Sequence, residues 1–155
     1  MSEHRIKLNW RRTSEAFDYK SYNRAHTLTF KNGLSLEASA APAYRGDPDM
    51  VDPEEAFVAS AASCHMLTFL AIASRRGLTV DSYMDDPVGH LERNEEGRLA
   101  ITRIIMRPQV VFSGGAIPHQ AKLREMHEQS HHDCFIASSI KTHIDVELAA
   151  PAGTP

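Results

Sequence analysis

The sequence predicts an α+β fold, with antiparallel sheets packed around one long buried central helix. Three observations carry this. Residues 52–77 (DPEEAFVASAASCHMLTFLAIASRRG) hold no charge between Ala56 and Ala73 except a possible one on His65. Leu28 and Phe30, then Asn32-Gly33, then Leu34 and Leu36 place a turn dipeptide between apolar runs. Ile144, Val146 and Leu148 alternate with Asp145 and Glu147 near the end of the chain.

The central helix has a complete start and stop. Asp52 suits the N-cap, Pro53 the first helical position, and Glu54 and Glu55 the first turn, where carboxylates meet free N–H groups. Asp52 and Glu55 have capping-box spacing. Arg75 and Arg76 suit the last turn and Gly77 the C′ position. A helix apolar on nearly all faces is a buried one. Its alanines and serines, with His65 and Thr68, argue against a membrane span although its length qualifies.

The other elements follow in order. Ile6, Leu8 and Trp10 alternate with polar neighbours and predict a half-buried strand. Residues 11–24 are polar with Phe17, Tyr19 and Tyr22, and carry no firm assignment beyond extended chain over 19–23. Asn-Gly between alternating apolar runs is the strongest short hairpin signal. Residues 41–52, rich in Pro, Gly and Asp, predict a loop. Residues 78–93 and 99–113 read as strands around the turn 94–97, with Pro108 marking an edge or bulge. Ser113-Gly114-Gly115 breaks the chain. Pro118 predicts a helix to about Ser130, with Ala121, Leu123 and Met126 towards the core. A helical turn is expected near 134–136 and a closing strand over 142–148. Residues 1–5 and 149–155 are expected to be flexible ends of a single domain.

Length and composition narrow the function classes. With 155 residues, one domain with a sizeable core is the default. A net charge of −3 and a pI near 6.3, with no basic run, give no push towards nucleic acid or anionic membrane. The first residues show no apolar signal segment, so a cytoplasmic location is expected. In a reducing compartment two cysteines are free core thiols, metal ligands or redox residues. A helix this apolar needs cover on every side, which predicts a homodimer.

The cysteines carry a resemblance. Asp52-Pro53-Glu54-Glu55, followed by small residues to Cys64, resembles the first signature of the OsmC/Ohr family, the osmotically inducible and organic hydroperoxide resistance proteins. Cys134, just before the last strand, resembles its second motif. Arg24, ahead of the Asn32-Gly33 hairpin, resembles its N-terminal arginine. The similarity spans roughly residues 6–148. It implies an OsmC-like fold, an intertwined homodimer with active sites at the interface, and a thiol peroxidase for organic hydroperoxides that uses no cofactor. Cys64 is then the peroxidatic thiol and Cys134 the resolving thiol, while Glu54 and Arg24 order the site. The expected partners are a second copy, a small organic hydroperoxide and an external dithiol reductant.

The chemistry requires such residues. Attack on an O–O bond needs a thiolate, which burial disfavours and a fixed guanidinium favours. Glu54 could hold that guanidinium bidentately. One straight helix separates Glu54 from Cys64 by about 15 Å, at about 1.5 Å per residue. Either the helix breaks near 60–63, placing Cys64 at a new N-terminus, or Glu54 serves the site of the partner copy; the break is expected. Phe57, Met66 and Phe69 are expected to wall an apolar pocket. Arg45 is a second candidate for the guanidinium.

Blander readings stand beside these. A buried cysteine is usually a small hydrophobe, and Glu54 is fully explained as a first-turn charge. His65 stands where the family has an apolar residue, and as a neighbour of Cys64 it is a candidate base. His131, His132 and Cys134 adjoin, so a soft metal is a further reading. The plainer one is that His131 and His132 favour a helix C-terminus. The alternative function is a non-catalytic binder of a small ligand or metal on the same fold.

Overall fold

The computed structural model describes residues 1–148; the tail expected over 149–155 lies outside the described residues. The chain divides into two compact units, one ending at Ala56 and one beginning at Phe57.

The first unit is an antiparallel sheet of β1 (Lys7–Asn9), β2 (His26–Thr29) and β3 (Ser35–Ala38), in that spatial order. Leu28 faces Leu36 in the hairpin register. Asn32 and Gly33 both take positive φ, 61° and 77°, as the tightest hairpin turns demand. The Phe30 N–H closes that turn on the Leu34 carbonyl at 2.7 Å. The half-burial expected of the first strand is absent: Ile6, Leu8 and Trp10 are 55%, 63% and 43% exposed. Alternation marks a face able to be buried, and no described residue buries this one.

The loop after β3 is closely folded. Its Gly46 lies so near Ala40 that an added Cβ would sit 1.4 Å from the Ala40 carbonyl oxygen. Backbone cannot yield as a flexible side chain does. Gly46→Ala should therefore cost about 3 kcal/mol or more, read as a fall in Tm. The loop delivers the chain to a reciprocal capping box. Glu55 N–H donates to Asp52 Oδ1 at 2.8 Å, and Asp52 N–H to Glu55 Oε2 at 3.1 Å.

Helix α1 (Pro53–Arg75) starts at this box and runs on into the second unit without interruption. The expected break near 60–63 does not occur. No Pro or Gly follows Pro53 within the helix, and those are the residues that most often kink one. The Ser60 hydroxyl donates back to the Phe57 carbonyl at 2.8 Å, a bond that satisfies a serine inside a helix. The buried residues of α1 are Ala61, His65, Phe69, Ile72 and Ala73, one stripe at helical spacing. Ala59, Ser60, Ser63 and Leu67 lie exposed on another face. Burial on every face is thus not achieved within one chain. By length and composition α1 would also suffice to cross a membrane.

Around α1 lie β4 (Thr79–Met84), β5 (Val88–Arg93), β6 (Leu99–Met106), β7 (Gln109–Ser113), α2 (Gln120–Asp133) and β8 (His143–Val146). β4 pairs with β7, and a second sheet has the order β5-β6-β8. Two expected long strands are each divided. Residues 85–87 (Asp-Asp-Pro) separate β4 from β5, and Pro108 lies between β6 and β7, sending the halves to different sheets. Proline cannot donate to a ladder, so it stands where pairing stops. β8 runs parallel to β6, a departure from all-antiparallel pairing. α2 begins two residues after Pro118, because the His119 ring accepts the Lys122 N–H at 3.3 Å as the N-cap. It ends at Asp133, past the expected Ser130, and Ala121 is exposed rather than inward.

Two apolar clusters hold the second unit. Ala61, Ile104, Met106 and Ile144 form one, with Val58 and Ile140 against it. Phe69, Ile72, Ala73 and Met126 form the other, with Tyr83, Val110 and Phe112.

Candidate active site: two adjacent thiols

Cys64 is half-buried in the middle of α1, and Cys134 is fully buried as the C-cap of α2. Seventy positions apart in sequence, the two thiols are neighbours in space, near enough for Cys64 to raise the Cys134 thiol. Both are free. α2 brings its last residue back against α1, and the short turn over Ala137–Ser139 fixes it there. The Ala137 N–H points at Cys134 Sγ at 3.4 Å, and the Ser138 N–H and hydroxyl both donate to the Cys134 carbonyl at 3.0 Å. Burial pushes the Cys134 thiol up, the neighbouring Cys64 pushes it further, and the Ala137 N–H opposes both. The buried thiol resists ionisation because a thiolate there would lose its hydration. Cys134 is therefore held as the neutral thiol, the form that attacks poorly and waits.

The continuous α1 puts Cys64 about three turns beyond the helix start. The expected help from a second helix N-terminus is withdrawn. Among the described residues no arginine or lysine bonds to either sulfur. In the first unit the Arg24 guanidinium donates to the Tyr22 carbonyl at 2.8 Å and the Tyr19 carbonyl at 2.6 Å. It also stacks 4.0 Å from the Tyr22 ring centroid, where the ring face attracts a cation. Arg24 and Glu54 form no ion pair among the described residues; Glu54 sits in the first turn of α1. Arg45 is exposed and left-handed, φ 67°, closing the turn 42–44.

The first unit also contains a feature that sequence reasoning missed. Trp10, Phe17 and Tyr22, with Arg24 and His26, line an apolar recess of about 420 Å³. Trp10 and Phe17 pack at 5.9 Å between ring centroids, and Phe17 and Tyr22 at 5.4 Å. Tilted pairs at such separations are favourable aromatic contacts. The Trp10 N–H is held by the Asn23 carbonyl at 2.8 Å. The signal was the set of aromatics in a polar segment that carried no assignment. Phe69, expected beside the thiol, is instead wholly buried against Tyr83, Phe112 and His127.

The histidines resolve differently from expectation. His65 does not serve Cys64; it is buried, with Nε2 3.0 Å from His127 Nδ1. Consecutive helical residues point about 100° apart, so one faces Cys134 and the next faces α2. Burial lowers His65 to about 4, aided by His131, and lowers His127 to about 3, aided by His65. An imidazolium taken out of water is penalised, so both rings are neutral at ordinary pH. His131 and His132 lie in the last turn of α2, the end a helix dipole makes favourable for imidazoles. His132 Nδ1 lies 2.8 Å from Asp133 Oδ1. His127 is a site residue that the cysteine motifs do not point to. The signal was its spacing, His127-Glu128-Gln129-Ser130-His131.

Comparison with known proteins agrees with this architecture. A family model described as OsmC-like protein matches residues 46–149. A solved OsmC-like protein of unknown function from Vibrio cholerae is 45% identical, with a TM-score of 0.92, over 96% of this chain and 100% of that one. The uncharacterized protein YmaD of Bacillus subtilis is 23% identical over 97% of this chain and 95% of its own length. The organic hydroperoxide resistance protein OhrB of Bacillus subtilis shares the fold at 17% identity and a TM-score of 0.64, over 95% and 96% of the two chains.

Proposed function

Because this chain belongs to the OsmC-like protein family, and because Cys64 and Cys134 adjoin, we propose that it is a thiol peroxidase for organic hydroperoxides. The single observation that carries the reading is the meeting of the two thiols. The name of the Bacillus subtilis neighbour, an organic hydroperoxide resistance protein, supports the substrate class.

The Cys64 thiolate attacks the distal oxygen of ROOH, the O–O bond breaks, and the alkoxide takes a proton and leaves as ROH. Cys64 is then a sulfenic acid. The Cys134 sulfur attacks the Cys64 sulfur, water departs, and the pair is a disulfide. An external dithiol returns it to two thiols by exchange. A resolving thiol already close by shortens the life of the sulfenic acid and so limits its over-oxidation. Arg24 is the cation proposed to favour the thiolate, with Glu54 as its counter-charge. The Tyr19 and Tyr22 carbonyls hold its guanidinium in one orientation within the first unit, and the aromatic recess beside it suits an alkyl or aryl group.

The reduced protein, given cumene hydroperoxide, should lose both thiols at a one-to-one ratio and regain them with a dithiol. Thiols untouched by excess hydroperoxide would sink the reading. The exposed small-residue face of α1 and the exposed β1 side chains support a homodimer as the working form. Sedimentation equilibrium should return about twice 17.3 kDa; a monomer at micromolar concentration would refute it.

A further inference from the structure

We propose that the α2 face bearing His127 and His131 is a binding site for a divalent transition-metal ion of the imidazole-preferring class, such as Zn²⁺. Residues 127–131 read His-Glu-Gln-Ser-His, and residues four apart stand on one side of a helix. Arg124, His127, Glu128 and His131 line a cavity of about 220 Å³, floored by Ile144, Val146 and Leu148. His127 is 2% exposed, and its Nε2 has no hydrogen-bond partner among the described residues. That is an expensive state for a buried polar nitrogen, and one that calls for a missing partner.

The other edge of the same ring is already arranged for the purpose. Nδ1 lies 3.0 Å from His65 Nε2, so Nε2 points away from His65. A ligating imidazole commonly has its second nitrogen held by a fixed neighbour, which sets its tautomer and aim. Phe69, stacked on the His127 ring at 4.3 Å, fixes the ring plane. With a metal on Nε2, the His127 proton must sit on Nδ1 and point at His65 Nε2. The His65 proton must then sit on its own Nδ1.

The site is an open one. Among the described residues no three His, Cys, Asp or Glu side chains are gathered tightly enough to cage an ion. Two imidazoles therefore hold it, and water completes the shell. Two nitrogen donors favour Cu²⁺, Ni²⁺ and Zn²⁺ over Mg²⁺ and Ca²⁺, which want oxygen. Glu128 lies beside the ion as a counter-charge and as an acceptor for its water. Arg124 opposes the ion from the rim and is exposed, so salt screens it.

The test uses Zn²⁺ and the full chain with both cysteines replaced by serine, so that thiolates cannot capture the ion and the peroxidase reading plays no part. Calorimetry after EDTA treatment should give a saturable site. His131→Ala should weaken it at least tenfold, and Arg124→Ala should tighten it. Nitrogen-15 spectra at saturation should show His127 and His65 each fixed as the Nδ1–H tautomer. Absence of saturable binding overturns the proposal. So does binding that His131→Ala leaves intact, or His65 and His127 ring signals that zinc does not move. His131 is exposed, so its replacement leaves the fold undisturbed and keeps the comparison clean.

Discussion

Cys64→Ser is expected to abolish consumption of organic hydroperoxide, lowering the rate by at least ~10³-fold, because a hydroxyl cannot supply the thiolate. Its partner should behave differently. Cys134→Ser should still complete one attack, leaving a sulfenic acid on Cys64 that a dimedone probe traps, and then stop. The contrast follows from position. Cys64 is half-buried and can meet a substrate, whereas Cys134 is sealed, and burial and its neighbour push it up. Stopped-flow consumption of cumene hydroperoxide with each variant checks both outcomes. Loss of the first turnover in Cys134→Ser but not in Cys64→Ser would reverse the assignment of roles. Arg24→Ala, by contrast, should slow the first attack and leave the fold intact, since its guanidinium holds only its own loop in this structure.

The second large effect is on stability in acid. His65 and His127 are buried against each other, and burial lowers them to about 4 and about 3. The unfolded chain holds both near the ordinary value of about 6.5, so between these limits it binds more protons than the folded chain. Their contribution to stability is therefore fully present above about pH 6.5 and is lost as pH falls towards 4 and then 3. At about 1.4 kcal/mol per pKa unit the pair accounts for a loss on the order of 8 kcal/mol once the pH has fallen to about 3. That is a large part of the roughly 5–15 kcal/mol typical of a domain. Facing the pair are His131, Tyr83 and Phe69, with Arg124 and Glu128 lining the cavity beside His127, and among the described residues no carboxylate bonds to either ring. Asp18, Glu125, Asp133 and Asp145 are carboxylates held below their usual range. They lose their share only below about pH 4. Urea unfolding of the EDTA-treated protein at about pH 7, 6, 5 and 4.5 separates the two groups. The midpoint should fall steadily across this range, with the His65 and His127 ring signals unprotonated in the folded state down to about pH 5. A flat midpoint from about pH 7 to 5 would contradict it.

Much of the fold was legible because the signals were local. The start of α1 lies in Asp52, Pro53 and Glu55, and the Asp52–Glu55 hydrogen bonds close within one turn and need no tertiary partner. The β2–β3 turn lies in Asn32-Gly33, whose positive φ values follow from the residues themselves. What failed depended on distant neighbours. Whether Ile6, Leu8 and Trp10 are covered is decided by another surface, not by their alternation. That β8 runs parallel to β6 is decided by the path of α2 between them. Proximity of Glu54 to Cys64 would need a helix break, and residues 54–75 hold no Pro or Gly to make one.

The site divides the same way. The pairing of Cys64 with Cys134 is what the resemblance of their surroundings to the family's two motifs implies. The fate of His65 is not implied there, because its partner His127 lies 62 residues on and faces it only through the packing of α2 on α1. The aromatic recess beside Arg24 was hidden for a related reason: Trp10, Phe17 and Tyr22 pack across irregular chain, where periodicity says nothing.

The most direct measurement is peptide mass mapping of the protein after one equivalent of cumene hydroperoxide, with free thiols alkylated before digestion. One new species is expected, the Cys64 and Cys134 peptides joined and two mass units lighter than their reduced sum, reversed by a dithiol. Both peptides recovered singly alkylated, at any time up to full consumption of the oxidant, would contradict the pairing of the two thiols.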